Sequence, residues 1–317
     1  MVGKVTSSQK PSASVLPAIM GYSPYQTPLV VLDRAIKCVE QGVHSLPDTE
    51  PPPEPATWGN LLEDTILEMA ADRLGVGNLI MDHPEPHHYQ DILSCSLDGT
   101  AEGGGLVVSN DPSRGIYVMS DDDEIELVGM GILEAKLTRV AAQETPDPYR
   151  GPIQLQGQML CTGAQWGVIA ILYQGVELYI YVYKADVEMQ QKIVMACSDF
   201  ERRVRDEDWY PAMSATEAAD MKGDAPDDVE MDADEALKEK VERLAHIRTE
   251  LKAYEALASD LQLDIMNAMG EANICNAGQY KITWPVRRVK AKPAQVKEIA
   301  AVEEHWARAK TLKLEEL

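Results

Sequence analysis

Asp98, Glu134 and Lys136 are the residues of this sequence whose types and spacing best suit chemistry. Asp98 stands directly before a glycine, and the triplet Glu134, Ala135 and Lys136 ends the apolar run 128–133. Two carboxylates and the carbonyl between Glu134 and Lys136 are the hard oxygen ligands that Mg²⁺ prefers. On a strand, Lys136 lies on the same face as Glu134. The spacing therefore predicts a metal centre for phosphodiester hydrolysis, with an ammonium group to orient the attacking water.

The composition is that of an acidic globular chain. Hydrophobic residues make up 45% of the 317 residues, which is ordinary for a protein with a core. The 52 Asp and Glu exceed the 29 Lys and Arg, and the net charge is −23. This balance argues against a protein that coats nucleic acid by overall positive charge, although local basic groups can still bind phosphates.

The cysteines and the apolar segments predict the redox compartment of the protein and whether it spans a membrane. The five cysteines include no Cys-x-x-Cys pair, which favours free thiols in a reducing compartment. They are Cys38, Cys95, Cys161, Cys197 and Cys275. The longest apolar region, 167–183, is interrupted by Gln174 and Glu177, and the first residues lack the apolar stretch of a signal peptide. We therefore expect no membrane span.

Changes in composition divide the chain into four predicted segments. We expect a mobile N-terminus over 1–13, a core over 14–210, an acidic linker over 211–235 and a helical extension with a basic tail over 236–317. The extension has apolar residues at every third or fourth position, which is typical of one long amphipathic helix ending near Gly270. These residues are Leu237, Val241, Leu244, Ile247, Leu251, Tyr254, Leu257, Leu261 and Ile265.

The basic tail follows a predicted strand over 280–286. It contains Arg287, Arg288 and Lys290, the one concentrated basic run of the chain. Two interpretations stay open for it: a solvated terminal segment, or a contact with nucleic-acid phosphates.

Helical patterns in the core come before and after a group of strand patterns. We expect an extended loop over 45–57, then a helix from Asn60 to about Leu74, in which Asn60 caps the helix and Glu63 completes a capping box. This order predicts an α/β core with a mixed sheet flanked by helices. The predicted strands are 92–97, 116–119 and 125–133 and a hairpin of 167–173 with 177–183, and further helices are expected over 154–163 and 186–205.

Four ordered segments resemble the phage-type alkaline exonucleases, the family of lambda exonuclease and the YqaJ-like viral recombinases within the PD-(D/E)XK nuclease superfamily. The resemblance extends over roughly residues 14–185. The segments are the turn Met20-Gly21-Tyr22-Ser23-Pro24-Tyr25-Gln26-Thr27-Pro28, the helix with Trp58, Gly59 and Glu63, the pair Asp98 and Glu134-Ala135-Lys136, and the glutamine helix Gln154-Leu155-Gln156-Gly157-Gln158.

The resemblance implies a restriction-endonuclease-like mixed β-sheet and a role for each matched residue. Asp98, Glu134 and the Ala135 carbonyl would bind Mg²⁺ or Mn²⁺, as two ions, and Lys136 would orient or activate the water. Glu63 would support the second ion or its waters.

The glutamine helix and the N-terminal turn complete the implied site. By its place in the motif, Gln156 would position the metal shell or the substrate. Gln154 and Gln158, which share a helix face, remain rivals for this role. Both are also candidates for contact with DNA. Ser14 lies where the family has a small hydroxyl residue near the DNA 5′ end. One departure is that the arginine which receives the 5′ phosphate in lambda exonuclease is missing, and the nearest upstream basic residues are Lys10 and Lys4.

The activity that the resemblance implies is degradation of one strand of linear double-stranded DNA from its 5′ end. It would release mononucleotides and leave 3′ single-stranded tails for annealing recombination, in the cytoplasm of a bacterial host, for a protein of phage or prophage origin. A ring-shaped homotrimer and a single-strand annealing protein as partner are also implied. The alternatives are a nuclease of the same fold with other polarity, and a DNA-end binding scaffold with little or no nuclease activity.

Overall fold

The structure, a computed structural model, describes residues 6–46, 54–81, 83–221 and 230–284. The chain divides into two compact units, Met1–Ala212 and Met213–Leu317. Each unit is described by itself.

The first unit contains five α-helices and ten strands among the described residues. The helices are α1 (Leu16–Ile19), α2 (Pro28–Glu40), α3 (Glu54–Leu74), α4 (Pro152–Thr162) and α5 (Val187–Asp206). The strands are β1 (Gly77–Ile80), β2 (His87–Tyr89), β3 (Leu93–Cys95), β4 (Gly99–Glu102), β5 (Leu106–Ser109), β6 (Ile116–Met119), β7 (Glu124–Leu127), β8 (Met130–Thr138), β9 (Trp166–Tyr173) and β10 (Glu177–Lys184).

Six of these strands form one central mixed sheet, in the order β1-β4-β8-β9-β10-β6. Strands β8 and β9 are parallel, as are β10 and β6, whereas the other neighbours are antiparallel. The connection from β8 to β9 runs through α4, which is the crossover that a parallel pair needs. The predicted fold class, a restriction-endonuclease-like mixed sheet flanked by helices, is confirmed.

Helices cover both faces of the middle of the sheet. Successive side chains of its strands point to opposite faces and belong to two different apolar clusters. Leu133 packs with residues of α3 in one cluster, and Ile132 packs with residues of α4 and α5 in the other. Strand β9 repeats this pattern, since Val168 belongs to the first cluster and Ile169 to the second. A strand buried on both faces reads as a continuous apolar run, which is how β9 appears in the sequence.

Two boundaries differ from the sequence prediction. Helix α3 begins at Glu54, inside the predicted loop 45–57, so Asn60 and Glu63 lie in the helix interior and the capping-box assignment is wrong. The predicted strand 125–133 is two strands, because Gly129 has a φ of 68° between β7 and β8. Strand β7 pairs with β5 in a separate two-stranded sheet, while β8 enters the central sheet.

Residues 6–13, expected to be a mobile N-terminus, are held by the first unit. The Ser8 N–H donates to the His44 carbonyl at 2.9 Å, and the Gln9 amide donates to the Val43 carbonyl at 3.0 Å. Ser12 forms a β-bridge with Ser94 of β3. This part of the segment is fixed because its polar groups have defined partners.

The second unit consists mainly of one long helix. Its described elements are α6 (Ala215–Met221), α7 (Glu235–Met269), β11 (Ile274–Ala277) and β12 (Tyr280–Thr283), the two strands forming a hairpin. Asp234 caps α7 by accepting from the Leu237 N–H at 2.8 Å, and the helix ends before Gly270. Arg287, Arg288 and Lys290 lie outside the described residues, as does 222–229 of the expected linker. None of the helices described is both long and apolar enough to cross a membrane.

Candidate active site

The register of two central strands brings Asp98 beside Glu134. Gly99, the first residue of β4, pairs with Leu133 of β8. Asp98 therefore lies next to the following residues of β8, and its Oδ2 accepts a hydrogen bond from the Ala135 N–H at 3.0 Å. The two carboxylates come from neighbouring strands, as the spacing predicts.

Glu134 is the centre of a polar cluster inside the protein. The residue is only 1% exposed, and its Oε1 contacts the Lys136 ammonium group. The Gln154 amide donates to Oε1 of Glu134 at 2.7 Å, and the Gln158 amide donates to Oε2 at 2.6 Å. Lys136 also donates to Oε1 of Gln154 at 3.1 Å. Each buried oxygen of the carboxylate thus has a charged or polar partner, as burial of a charge requires.

The electrostatics show an excess of negative charge around one lysine. Burial, and then the carboxylates of Glu134 and Glu63, raise the pKa of Asp98 well above its ordinary value. Burial and Glu134 also raise the pKa of Glu63, which lies on α3. Burial alone would lower the pKa of the Lys136 ammonium, but the carboxylates of Glu134 and Asp98 outweigh this and raise it. Lys136 is therefore held in its charged form by its neighbours.

The three glutamines of α4 make different contacts. The Gln156 amide donates to the Lys184 carbonyl at 2.9 Å, and its Oε1 accepts from the Asp186 N–H at 2.9 Å. Gln156 therefore joins α4 to the junction of β10 and α5 and makes no hydrogen bond to Glu134. The rivals Gln154 and Gln158, four residues apart on one helix face, make the contacts instead.

The oxygen groups at this point fit a divalent cation. Asp98, Glu134 and the Ala135 carbonyl form a hard donor set, and three carboxylates, with Glu63, surround a single ammonium group. The buried Oε1 of Gln158 also has no hydrogen-bond partner within the described part of the chain. Within that part of the chain, no three side chains of His, Cys, Asp or Glu meet as a metal-binding group.

Lys136 and Gln154 open onto a cleft of about 1140 Å³ in the first unit. Ser14 lines the same cleft, is exposed, and lies 3.2 Å from the Ser12 hydroxyl. The structure thus brings together Ser14, Lys136 and Gln154, as the resemblance implies. Other lining residues include Tyr25, Trp58, Leu62, Thr138, Arg139, Tyr149 and Arg150.

Sequence reasoning missed two basic residues of this cleft. Arg139 directly follows β8 and is exposed, without a hydrogen bond or ion pair to any residue described. Arg150 donates to the Thr138 hydroxyl at 2.7 Å and pairs with Asp147, and its guanidinium lies 4.9 Å from the centre of the Tyr149 ring. In the sequence, these residues could be recognised only by their positions. Arg139 directly follows β8, and Arg150 lies shortly before α4.

The histidines of the 83–88 region do not form a metal site with a third group. The rings of His83 and His87 lie 6.2 Å apart, and His83 is hydrogen-bonded to the Ile80 carbonyl at 3.0 Å. His87 and His88 belong to β2 and His83 precedes it, and no three-residue metal-binding group is found among the residues described.

A mixed sheet with an Asp directly before one strand and a Glu-x-Lys on the neighbouring strand defines an α/β protein of the PD-(D/E)XK nuclease class. The model of the YqaJ-like viral recombinase domain matches residues 7–165, half of the chain. The protein therefore belongs to the YqaJ-like viral recombinase family. No curated protein matches the sequence.

Solved structures similar to this chain include LHK-Exo, an alkaline exonuclease from Laribacter hongkongensis. Its complex with dAMP is 15% identical, with a TM-score of 0.44, covering 63% of this chain and 89% of that one. A phage-related exonuclease from Haemophilus somnus 129PT is 14% identical, with a TM-score of 0.41, covering 62% of this chain and 94% of that one.

Proposed function

We propose that this protein is a Mg²⁺-dependent exodeoxyribonuclease that degrades one strand of linear double-stranded DNA from its 5′ end. Membership of the recombinase family supports a nuclease role on DNA. We propose in addition that the enzyme releases mononucleotides and leaves 3′ single-stranded tails for annealing recombination.

The observation that carries the proposal is the buried Glu134 carboxylate beside Asp98 and Lys136. A buried carboxylate pair with one ammonium group is costly unless a further cation or a functional requirement maintains it. The three groups also lie where Lys136 opens onto a cleft large enough for a substrate. Perturbed titratable groups at a cleft are typical of an active site.

Each residue has a distinct role in the proposed reaction. Asp98, Glu134 and the Ala135 carbonyl would hold Mg²⁺ or Mn²⁺, and Glu63 would support a second ion or its waters. A bound divalent ion supplies Lewis-acid polarisation of the phosphoryl oxygen and lowers the pKa of bound water. The Lys136 ammonium donates hydrogen bonds that orient the attacking water and offset charge on the phosphate.

The glutamines of α4 hold the catalytic groups in position. The Gln154 and Gln158 amides donate to opposite oxygens of Glu134, which fixes the plane of that carboxylate. Gln154 also accepts from Lys136 and so restrains the ammonium group. Positioning groups of this kind raise the rate because they need no reorganisation during the reaction.

The cleft provides the local positive charge that the acidic chain lacks overall. Arg139 and Arg150 lie in the same cleft as Lys136, and Ser14 adds a hydroxyl donor. Guanidinium groups bind phosphate oxygens well because their N–H groups match the phosphate geometry. The DNA end would therefore enter along this side of the cleft, in place of contacts made by an overall basic surface.

A ring-shaped homotrimer and a single-strand annealing protein belong to the proposal on the strength of the family resemblance alone. A closed ring would retain DNA by topology, which suits a protein of net charge −23. The proposed setting is the cytoplasm of a bacterial host.

The test is digestion of linear duplex DNA that carries a label on one 5′ end or one 3′ end, in Mg²⁺ or in EDTA. Lys136→Ala is compared with wild type and with Lys37→Ala, a matched control whose side chain pairs with Asp33 on the surface of α2. We expect early, Mg²⁺-dependent release of the 5′ label by wild type and by Lys37→Ala. Lys136→Ala should be slower by roughly 10²- to 10⁴-fold.

Other outcomes distinguish the alternatives. Early release of the 3′ label would overturn the polarity and retain the nuclease. Retarded migration of DNA without digestion in Mg²⁺ would identify a DNA-end binding scaffold.

A further inference from the structure

Helix α7 presents an apolar stripe that no other described residue of its unit covers. Of its 35 residues only Met269 is buried. Apart from the half-buried Leu244, the large apolar side chains from Leu237 to Ile265 are between 38% and 67% exposed. A contiguous apolar surface of this length marks an interaction site.

The stripe follows a heptad repeat in the register of a two-stranded coiled coil. The 35 residues of α7 are five heptads, and at 1.5 Å per residue the helix is about 50 Å long. Three to four heptads are enough to indicate a coiled coil. The a positions are Leu237, Leu244, Leu251, Ala258 and Ile265, and the d positions are Lys240, Ile247, Tyr254, Leu261 and Ala268.

We propose that α7 pairs with α7 of a second copy of this chain, as an antiparallel two-stranded coiled coil. The two copies are related by a two-fold axis near the middle of the helix, so that Leu251 of one copy faces Tyr254 of the other. Such a contact is isologous and joins copies in pairs, so with the proposed homotrimer ring it would join two rings. It does not rest on the proposed nuclease activity.

The sizes of the seam residues favour the antiparallel direction. With Leu251 opposite Tyr254, Ile247 lies opposite Ala258 of the second copy, so a large side chain faces a small one. A parallel pair in register would instead place Ala258 against Ala258 and leave a gap, and it would place Lys240 against Lys240. Gaps and buried like charges both disfavour a packed seam.

The charges beside the seam favour the same direction. In the antiparallel pair, the g positions Arg243 of one copy and Asp264 of the other are neighbours and attract each other. In a parallel pair, Arg243 would face Arg248 and Glu250 would face Glu255, and both contacts are repulsive. Arg243 and Asp264 are 21 residues apart, about 31 Å along the helix, so they cannot pair within one chain.

The first experiment compares the solution mass of the full chain with two matched variants, by sedimentation equilibrium. Leu251 and Leu263 are both exposed on α7, at 55% and 57%, but only Leu251 lies in the seam. We expect Leu251→Asp to halve the mass of the assembly and Leu263→Asp to leave it unchanged, with equal helix content by circular dichroism. An unchanged mass for Leu251→Asp would overturn the proposal, since another segment or another protein would then cover the stripe.

The second experiment tests the direction of the pair with charges that are exposed on the surface of the helix. Arg243→Asp and Asp264→Arg should each weaken self-association at least tenfold, and the double variant should restore it. Stronger association of Arg243→Asp alone would indicate a parallel pair and overturn the proposed geometry. No change in any of the three variants would exclude this seam altogether.

Discussion

Helix α3 of the first unit and helix α7 of the second are both amphipathic, but their apolar faces have opposite burial. Leu67, on the face of α3 that packs on the sheet, is fully buried, whereas Leu251 of α7 is 55% exposed. Periodicity therefore predicts that an element is amphipathic, but it does not say what covers the apolar face. The apolar face of α3 packs on the sheet of its own unit, whereas we propose that the apolar face of α7 packs on a second copy of the chain.

The two regions also differ in the burial of their charged residues. The first unit buries the Glu134 carboxylate and surrounds it with donors, while the charged residues of α7 are almost all exposed. Buried charges are kept where they perform a function, because their desolvation is costly. The predictions below test how far the two regions differ.

The largest expected effect is on the buried charge. Glu134→Gln keeps the size of the side chain but removes a candidate metal ligand, and we expect the nuclease rate to fall by about 10³-fold. Glu102→Gln, an exposed residue of β4 in the same sheet, is the control and should retain the rate. Digestion of end-labelled DNA measures both, and equal rates for the two variants would remove Glu134 from the active site.

The next effect is on stability and compares leucines of the two regions. Leu67→Ala should lower the free energy of unfolding by about 2–5 kcal/mol, because it leaves a cavity between α3 and the sheet. Leu263→Ala, outside the proposed seam of α7, should cost less than about 0.5 kcal/mol. Urea denaturation followed by tryptophan fluorescence measures both, and similar losses would mean that α7 is packed as tightly as the core.

A smaller effect separates the two sides of α4. Gln158→Ala should slow digestion by about 10- to 100-fold, because it removes a group that positions Glu134. Gln156→Ala should leave the rate close to that of wild type and instead lower the free energy of unfolding by about 1–3 kcal/mol, because it leaves the Lys184 carbonyl and the Asp186 N–H unpaired. A slower rate for Gln156→Ala at full stability would restore the motif-based assignment.

The smallest effect concerns exposed charges of the first unit. Partial burial alone would raise the pKa of Asp199, but hydrogen bonds from Arg203 and Arg202 outweigh it and lower the pKa. A lowered carboxyl pKa stabilises the fold at neutral pH, and this contribution is lost as the pH falls through the folded-state pKa. Asp199→Asn should therefore cost less than about 1 kcal/mol at neutral pH and nothing in acid. A constant difference across that pH range in urea titrations would contradict the assignment.

Much of the site could be predicted from the sequence because its groups follow one another along two strands. Asp98, Glu134 and Lys136 are recognisable by type and spacing, and strand pairing alone brings them together. The sequence could not decide among the three glutamines, because a helix places Gln156 on one face and Gln154 and Gln158 on another, and only packing decides which face meets Glu134. For Arg139 and Arg150 the sequence offers only their positions after β8 and before α4, because they meet in the cleft through tertiary structure.

The errors in the fold have similarly local causes. The start of α3 was placed too late because prolines and acidic residues near Glu54 are common both in loops and in first helical turns. The sequence predicts one strand over 125–133 because apolar residues continue across Gly129, where the positive φ ends one pairing and begins another.

The central claim is that Asp98 and Glu134 hold the divalent ion of a nuclease, and an anomalous difference map of crystals soaked in Mn²⁺ tests it most directly. We expect a peak beside both carboxylates and the Ala135 carbonyl in the wild type, and its loss in Asp98→Asn. A map without a peak there, or with one only at the histidines of the 83–88 region, would contradict the account.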